Sequence, residues 1–166
     1  MELKFCGYMD YEEGRLANVE TLESEIPVNI HAEDDSDFTL QEGENCNVEI
    51  YAVGNNFKLY SSETEYKASG KKMAVMSMIP AGTFPVDPED KNFRESAHII
   101  YTGKVLNVSK EQDEKGKDGY PNYFLKIQSY EIEFGLYVYY DGEIKKGDII
   151  SGMAWLFGTI AKKGHE

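Results

Sequence analysis

Between residues 131 and 140, apolar and polar side chains alternate. Ile132, Phe134, Leu136, Val138 and Tyr140 fall on one side, and Glu131, Glu133, Gly135, Tyr137 and Tyr139 on the other. A period of two marks a strand with one buried face. The same alternation places Val48, Ile50 and Ala52 opposite Glu49 and Tyr51, and puts Leu125 and Ile127 on one face of a strand over 123–128. His98–Val108 and Ile149–Ile160 are apolar runs that predict long strands with little solvated face. Gly103 inside the first predicts a bulge or tight bend, and Gly152 and Gly158 punctuate the second as barrel corners do. Met73–Ile79 reads as a buried strand closed by Pro80-Ala-Gly82.

Turn and cap signals fill the intervals. Gly54-Asn55-Asn56 lies between two alternating runs and predicts a hairpin turn, because Gly and Asn tolerate positive φ. Ser62-Glu-Thr-Glu65 fits a capping box and predicts a short helix from Glu63 to Ser69, ended by Gly70. Phe84–Glu95 is a turn-rich crossing with one helical turn after Asp87, and Lys110–Pro121 is a charged loop. Together these elements predict one all-β domain over residues 1–166, with at most one or two short helices. Within it, 1–57 forms an acidic β-extension and 73–166 a barrel body. The expected core comprises Val48, Ile50, Met76, Ile99, Val105 and Leu125, then Ile127, Phe134, Leu136, Val138, Ile150 and Leu156. Val48–Val53 is the expected open edge.

Charge changes this picture. The chain carries a net −13, and residues 1–57 hold 14 acids against only Lys4 and Arg15, while 58–166 hold 16 acids and 15 bases. A polarised surface selects partners, and an acidic one captures basic proteins quickly. Glu33, Asp34, Asp35 and Asp37 form its densest patch and are a candidate partner face. A second candidate face, for a small ligand or oligosaccharide, is Tyr137 and Tyr139 with Trp155 on a nearby strand. Nucleic acid is disfavoured, because Lys115, Lys117, Lys145 and Lys146 are interleaved with Glu114, Asp118, Glu143 and Asp148 and form no basic groove. The first residues lack the basic and apolar regions of a signal peptide, and no run approaches 18 apolar residues, so a cytoplasmic protein away from membranes is expected. Cys6 and Cys46 are expected as free thiols.

Motifs for catalysis are missing from the sequence. It contains no Gly-x-Ser-x-Gly elbow, no His-Glu-x-x-His, no cysteine–histidine cluster and neither glycine-rich phosphate loop. Of the three histidines, His31 abuts the acidic run as a solvated residue, His98 opens a strand and His165 lies near the end. Glu33–Asp37 offers oxygens to Ca²⁺ without the EF-hand order, since Cys46 stands where the closing Glu belongs; Asp113–Asp118 raises the same question. No catalytic residue, cofactor or metal is therefore expected. The expected function is a non-enzymatic binding protein, immunity- or inhibitor-like. The alternatives are an OB-like module for a small ligand or oligosaccharide and, ranked last, an enzyme with a carboxylate- or His-based site.

The strand order Ile99–Val108, Tyr123–Gln128 and Ile132–Tyr140, followed by the Lys145-Lys-Gly-Asp148 turn into Ile149–Ile160, resembles the OB-fold pattern. Ile79-Pro-Ala-Gly-Thr-Phe-Pro85 and Gly147-Asp-Ile-Ile-Ser-Gly-Met-Ala-Trp-Leu-Phe-Gly158 are similar to phrases in small uncharacterised bacterial β-proteins. The resemblance covers about half the chain and implies a partly open OB-like β-barrel with a ligand face. It brings no catalytic residue, and Tyr140–Gly147 lacks the helix usual at that point of the OB fold.

Overall fold

The computed structural model describes residues 1–110 and 120–164. The protein is all-β, with 53% strand and 4% helix. Among the described residues the strands are β1 (Glu2–Tyr11), β2 (Gly14–Glu20), β3 (Pro27–Ala32), β4 (Asn45–Tyr60), β5 (Ser77–Ile79), β6 (His98–Lys110), β7 (Tyr123–Ser129), β8 (Ile132–Val138) and β9 (Ile149–Lys162), with one helix, α1 (Glu63–Ala68). Two compact units interleave along the chain. The first comprises Met1–Ile50, Pro80–Ile99 and Trp155–Glu166, and the second Tyr51–Ile79 and Ile100–Ala154.

In the first unit β1 and β2 form an antiparallel hairpin. Tyr11 pairs with Gly14, which leaves Glu12-Glu13 as its two-residue tip. β2 pairs antiparallel with β3, β3 runs parallel to Phe157–Gly158 of β9, and Leu3 of β1 pairs with Cys46 of β4. Leu3, Phe5, Leu16, Val19, Ile30 and Ile99 are buried in its core. The segment 82–98 is tied in by backbone bonds. Gly82 N–H donates to His98 O (2.8 Å), Ser96 N–H to Gly82 O (2.9 Å), and Leu156 N–H to Ala97 O (2.9 Å). Gly82 permits this: a Cβ there would stand 2.3 Å from the Ser96 carbonyl oxygen.

In the second unit β6, β7 and β8 form an antiparallel meander, with β5 on β6 and Tyr51–Val53 of β4 parallel to Gly135–Tyr137 of β8. Its core includes Tyr101, Leu125, Ile127, Phe134 and Leu136, and the Tyr101 and Phe134 rings meet edge to face at 5.4 Å. Half of the capping box forms, with Glu65 N–H donating to Ser62 Oγ (3.0 Å); the Glu65 carboxylate reaches one residue further back and accepts from Ser61 N–H (2.6 Å). The short helix buries one side chain, Tyr66, whose ring meets Tyr60 edge on.

Several expectations need correction. No hairpin turn falls at Gly54. β4 runs through it, and the glycine sits close against β8, where a Cβ would lie 3.2 Å from Leu136 Cδ1. The Met73–Ile79 strand shrinks to Ser77–Ile79, because Met76 adopts φ 58° and is 40% exposed rather than in the core. The other eleven expected core residues are buried. The bulge falls at Val105–Asn107 rather than at Gly103, where a Cβ would sit 2.5 Å from Ile127 Cγ2. Val48–Val53 is not an open edge: Val48 N–H donates to Met1 O and Tyr51–Val53 pairs with β8. After Asp87 the chain makes a turn without helix, Glu89 N–H donating to Asp87 Oδ1 (2.9 Å). Most of the Lys110–Pro121 loop, including Asp113–Asp118, and His165 lie outside the described residues. Among the described residues no helix is long and apolar enough to cross a membrane.

Candidate functional site

The first unit holds the chain's entire net charge. It carries 19 Asp/Glu and six Lys/Arg, −13, while the second carries 11 of each. In this acidic unit a cavity of about 410 Å³ opens at the tip of the β1–β2 hairpin. Tyr11 and Trp155 line it, their rings stacked with centroids 6.2 Å apart and planes 24° from parallel. Glu12 and Glu13 from the hairpin tip and Glu95 from the 82–98 segment bring three exposed carboxylates, and Arg94 is the one basic lining side chain among the described residues.

Buried polar contacts fix these walls. Asn29, 2% exposed, accepts from Asn18 Nδ2 (2.8 Å) and donates from Nδ2 to Gly82 O (3.2 Å) and Glu95 Oε1 (3.4 Å). Its backbone N–H donates to Thr83 Oγ1 (3.0 Å). One amide thus ties β2 and β3 to the segment that carries Glu95. Trp155 receives the His98 ring edge on, with centroids 4.5 Å apart, and Phe157 lies 6.4 Å away. The Trp155 Nε1–H is buried without a hydrogen-bond partner among the described residues.

His31 is not the solvated residue its acidic neighbours suggest. It is half-buried, its Nδ1 is hydrogen-bonded to the Tyr11 hydroxyl (2.5 Å), and its ring meets Phe157 at 5.3 Å. Burial, reinforced by the Glu13 charge, pushes the Tyr11 phenol up to about 12, so it stays protonated. Burial depresses the His98 imidazole below 6.5, against an opposing pull from Glu13. The Ser96 hydroxyl lies 3.0 Å from His98 Nδ1, and no carboxylate hydrogen-bonds that ring among the described residues. The Ser96 hydroxyl orients the imidazole. Cys46 is buried, and both Cys6 and Cys46 are free thiols pushed up to about 11 by burial.

The sequence-predicted residues separate. Trp155 belongs to the first unit, with Tyr11, His98 and Phe157 as ring neighbours. Tyr137 and Tyr139 belong to the second and are exposed, Tyr137 resting against Phe124 at 4.7 Å. The acidic run is fastened along β9. Glu33 N–H donates to Gly158 O, Ile160 N–H to Ser36 Oγ, Asp37 N–H to Ile160 O, and Thr159 Oγ1 to Asp35 Oδ1. Asp34 and Asp35 are exposed, and Glu33 and Asp37 half-buried. Asp34 lines a cleft with Asp10, Glu13 and Arg15. Among the described residues no three His, Cys, Asp or Glu side chains are grouped to hold a metal ion.

Sequence reasoning missed Tyr11, Glu12, Glu13 and Glu95. The available signal was Tyr11-Glu-Glu-Gly14, an aromatic–acidic phrase with a turn glycine. Chemically, stacked electron-rich faces rimmed by carboxylates suit an ammonium or guanidinium group. The unit holds one of its own in this way: the Arg15 guanidinium sits 4.6 Å over the Phe38 ring and pairs with Asp10 at 3.2 Å. No family model matches the chain, and neither a curated protein nor a solved structure matches it.

Proposed function

We propose that this is a non-enzymatic binding protein, immunity- or inhibitor-like, whose acidic unit captures a basic protein partner. The Tyr11–Trp155 cleft receives a lysine or arginine side chain of that partner. One observation carries the reading: the whole −13 net charge falls in the unit that also holds an aromatic cleft lined by Glu12, Glu13 and Glu95. A field of one sign steers encounter, and the cleft adds a short-range cation–π contact. For the fold, we read the glycine-containing β6 and the β6–β7–β8 meander as OB-like, supported by strand order and the bulge at Val105–Asn107.

Trp155 is the only tryptophan of the chain, so the cleft reports on itself. Titrating the protein with a deca-arginine peptide is expected to give a saturable fluorescence change. The change should weaken steeply as NaCl rises from 50 to 500 mM. Replacing Glu12, Glu13 and Glu95 together by Gln is expected to cost roughly tenfold in affinity, at 0.2–1 kcal/mol per exposed pair. A control triple with the same charge change, Glu23, Glu42 and Glu49 to Gln, should cost less than threefold. Equal losses from the two triples would reduce the cleft to part of a diffuse acidic surface.

A further inference from the structure

The second unit contains a cavity of opposite character. It measures about 360 Å³, near the lower end of the range for small-molecule sites. Its apolar wall is built by Phe57 of β4, Met73, Ile100 of β6 and Met153 of β9. Three exposed lysines, Lys58, Lys71 and Lys72, also line it, and among the described residues no Asp or Glu does. In a chain of 30 acids and 17 bases, three cations on one cavity wall are a local reversal of sign.

The local structure explains how the lysines arrive there. α1 is held by its cap and anchored through Tyr66, which is 2% exposed. The Tyr66 hydroxyl donates to Met73 O (2.8 Å) and meets Thr102 Oγ1 at 3.2 Å. Gly70, with φ 79°, turns the chain out of the helix, so that Lys71, Lys72 and Met73 return to the cavity. Gly152 lets β9 approach β4: a Cβ there would lie 2.3 Å from Asn56 O. None of the three lysines has an ion-pair partner among the described residues, whereas Lys145, Lys162 and Lys163 do. Three cations beside an apolar wall match an anionic head carried on an apolar tail.

We propose that this cavity binds a small amphipathic carboxylate, with its apolar tail on Phe57, Ile100 and Met153 and its carboxylate among Lys58, Lys71 and Lys72. The volume equals about a dozen waters at ~30 Å³ each, which suits a tail of about ten carbons. The inference stands on residues of the second unit alone and does not depend on the basic-partner reading.

The test is calorimetric titration of the full chain with decanoate, decanol and decylamine, three probes with one tail and different heads. Decanoate is expected to bind at one site per chain, about tenfold tighter than decanol, with decylamine weakest. Replacing Lys58, Lys71 and Lys72 by Gln should bring decanoate to the decanol affinity while leaving the melting curve in place, since all three side chains are exposed. Met153→Asn, which keeps the charge and spoils the apolar wall, should weaken decanoate and decanol alike. Decylamine binding as tightly as decanoate would overturn the proposal, as would a triple variant that keeps the preference for the anion. Neither result touches the Trp155 response to deca-arginine, so failure here is distinguishable from failure of the proposed function.

Discussion

The two units use the same secondary structure to present opposite chemistry. The first carries −13 and surrounds a stacked Tyr11–Trp155 pair with three carboxylates; the second is neutral and surrounds an apolar wall with three exposed lysines. Both sites depend on a glycine that brings backbone within reach of backbone: Gly82 beside Ser96 and Gly152 beside Asn56, each with 2.3 Å to a carbonyl oxygen from a Cβ. The difference lies in which side chains the neighbouring turns deliver. A two-residue hairpin tip delivers Glu12 and Glu13, and a capped helix with its Gly70 turn delivers Lys71 and Lys72. Strand pairing supplies the frame, and short polar connections decide the sign of the site.

The glycines give the largest effects. Gly82→Ala and Gly152→Ala should each destabilise the protein by about 2–3 kcal/mol in urea titrations, because the blocking atom is backbone and cannot rotate away. The two should part in binding, with Gly82→Ala losing the deca-arginine response and Gly152→Ala losing decanoate. Asn29→Ala follows, at about 2 kcal/mol, since it leaves the Asn18 amide without its acceptor and takes one of two donors from the Gly82 carbonyl, which keeps Ser96 N–H. It should blunt the first site and spare the second. Tyr101→Phe runs the other way. The Tyr101 hydroxyl is buried without a partner among the described residues, so its removal should be neutral or raise stability by up to about 1 kcal/mol in the same titration. A loss of 2 kcal/mol or more would show that the phenol is bonded in solution.

His98 gives the smallest effect. Its imidazole is depressed below 6.5 in the fold, so the unfolded chain takes up the proton first as pH falls. Its contribution to stability is complete above 6.5 and declines as pH drops through the lowered native value. Trp155 fluorescence, quenched by the protonated ring 4.5 Å away, should titrate with a midpoint below 6.5, and His98→Gln should remove the step.

Strands were legible where one face alone is buried. Ile132, Phe134, Leu136 and Val138 alternate because β8 has a wet side, and all four are buried as the period requires. The Ser62 cap was legible because it is a local hydrogen-bond motif. Gly54 misled because a glycine serves either a turn or close packing, and only the neighbour, Leu136, distinguishes them. Met76 misled because an apolar run does not reveal that one residue takes a left-handed φ. Charge asymmetry was legible as composition, but residues 80–99 and 155–166 join the acidic unit only through the fold. The lysine-lined cavity was hidden for the same reason: Lys58, Lys71 and Lys72 are separated from Ile100 and Met153 by some 30 to 95 positions of sequence.

The opposition of the two sites is tested most directly by amide chemical-shift mapping of one ¹⁵N-labelled sample titrated with deca-arginine and, separately, with decanoate. Deca-arginine is expected to shift amides at 9–13, 94–98 and 155, and decanoate those at 57–58, 71–73, 100–102 and 151–153. Both ligands shifting the same residues, or deca-arginine spreading evenly over every acidic segment, would contradict the account.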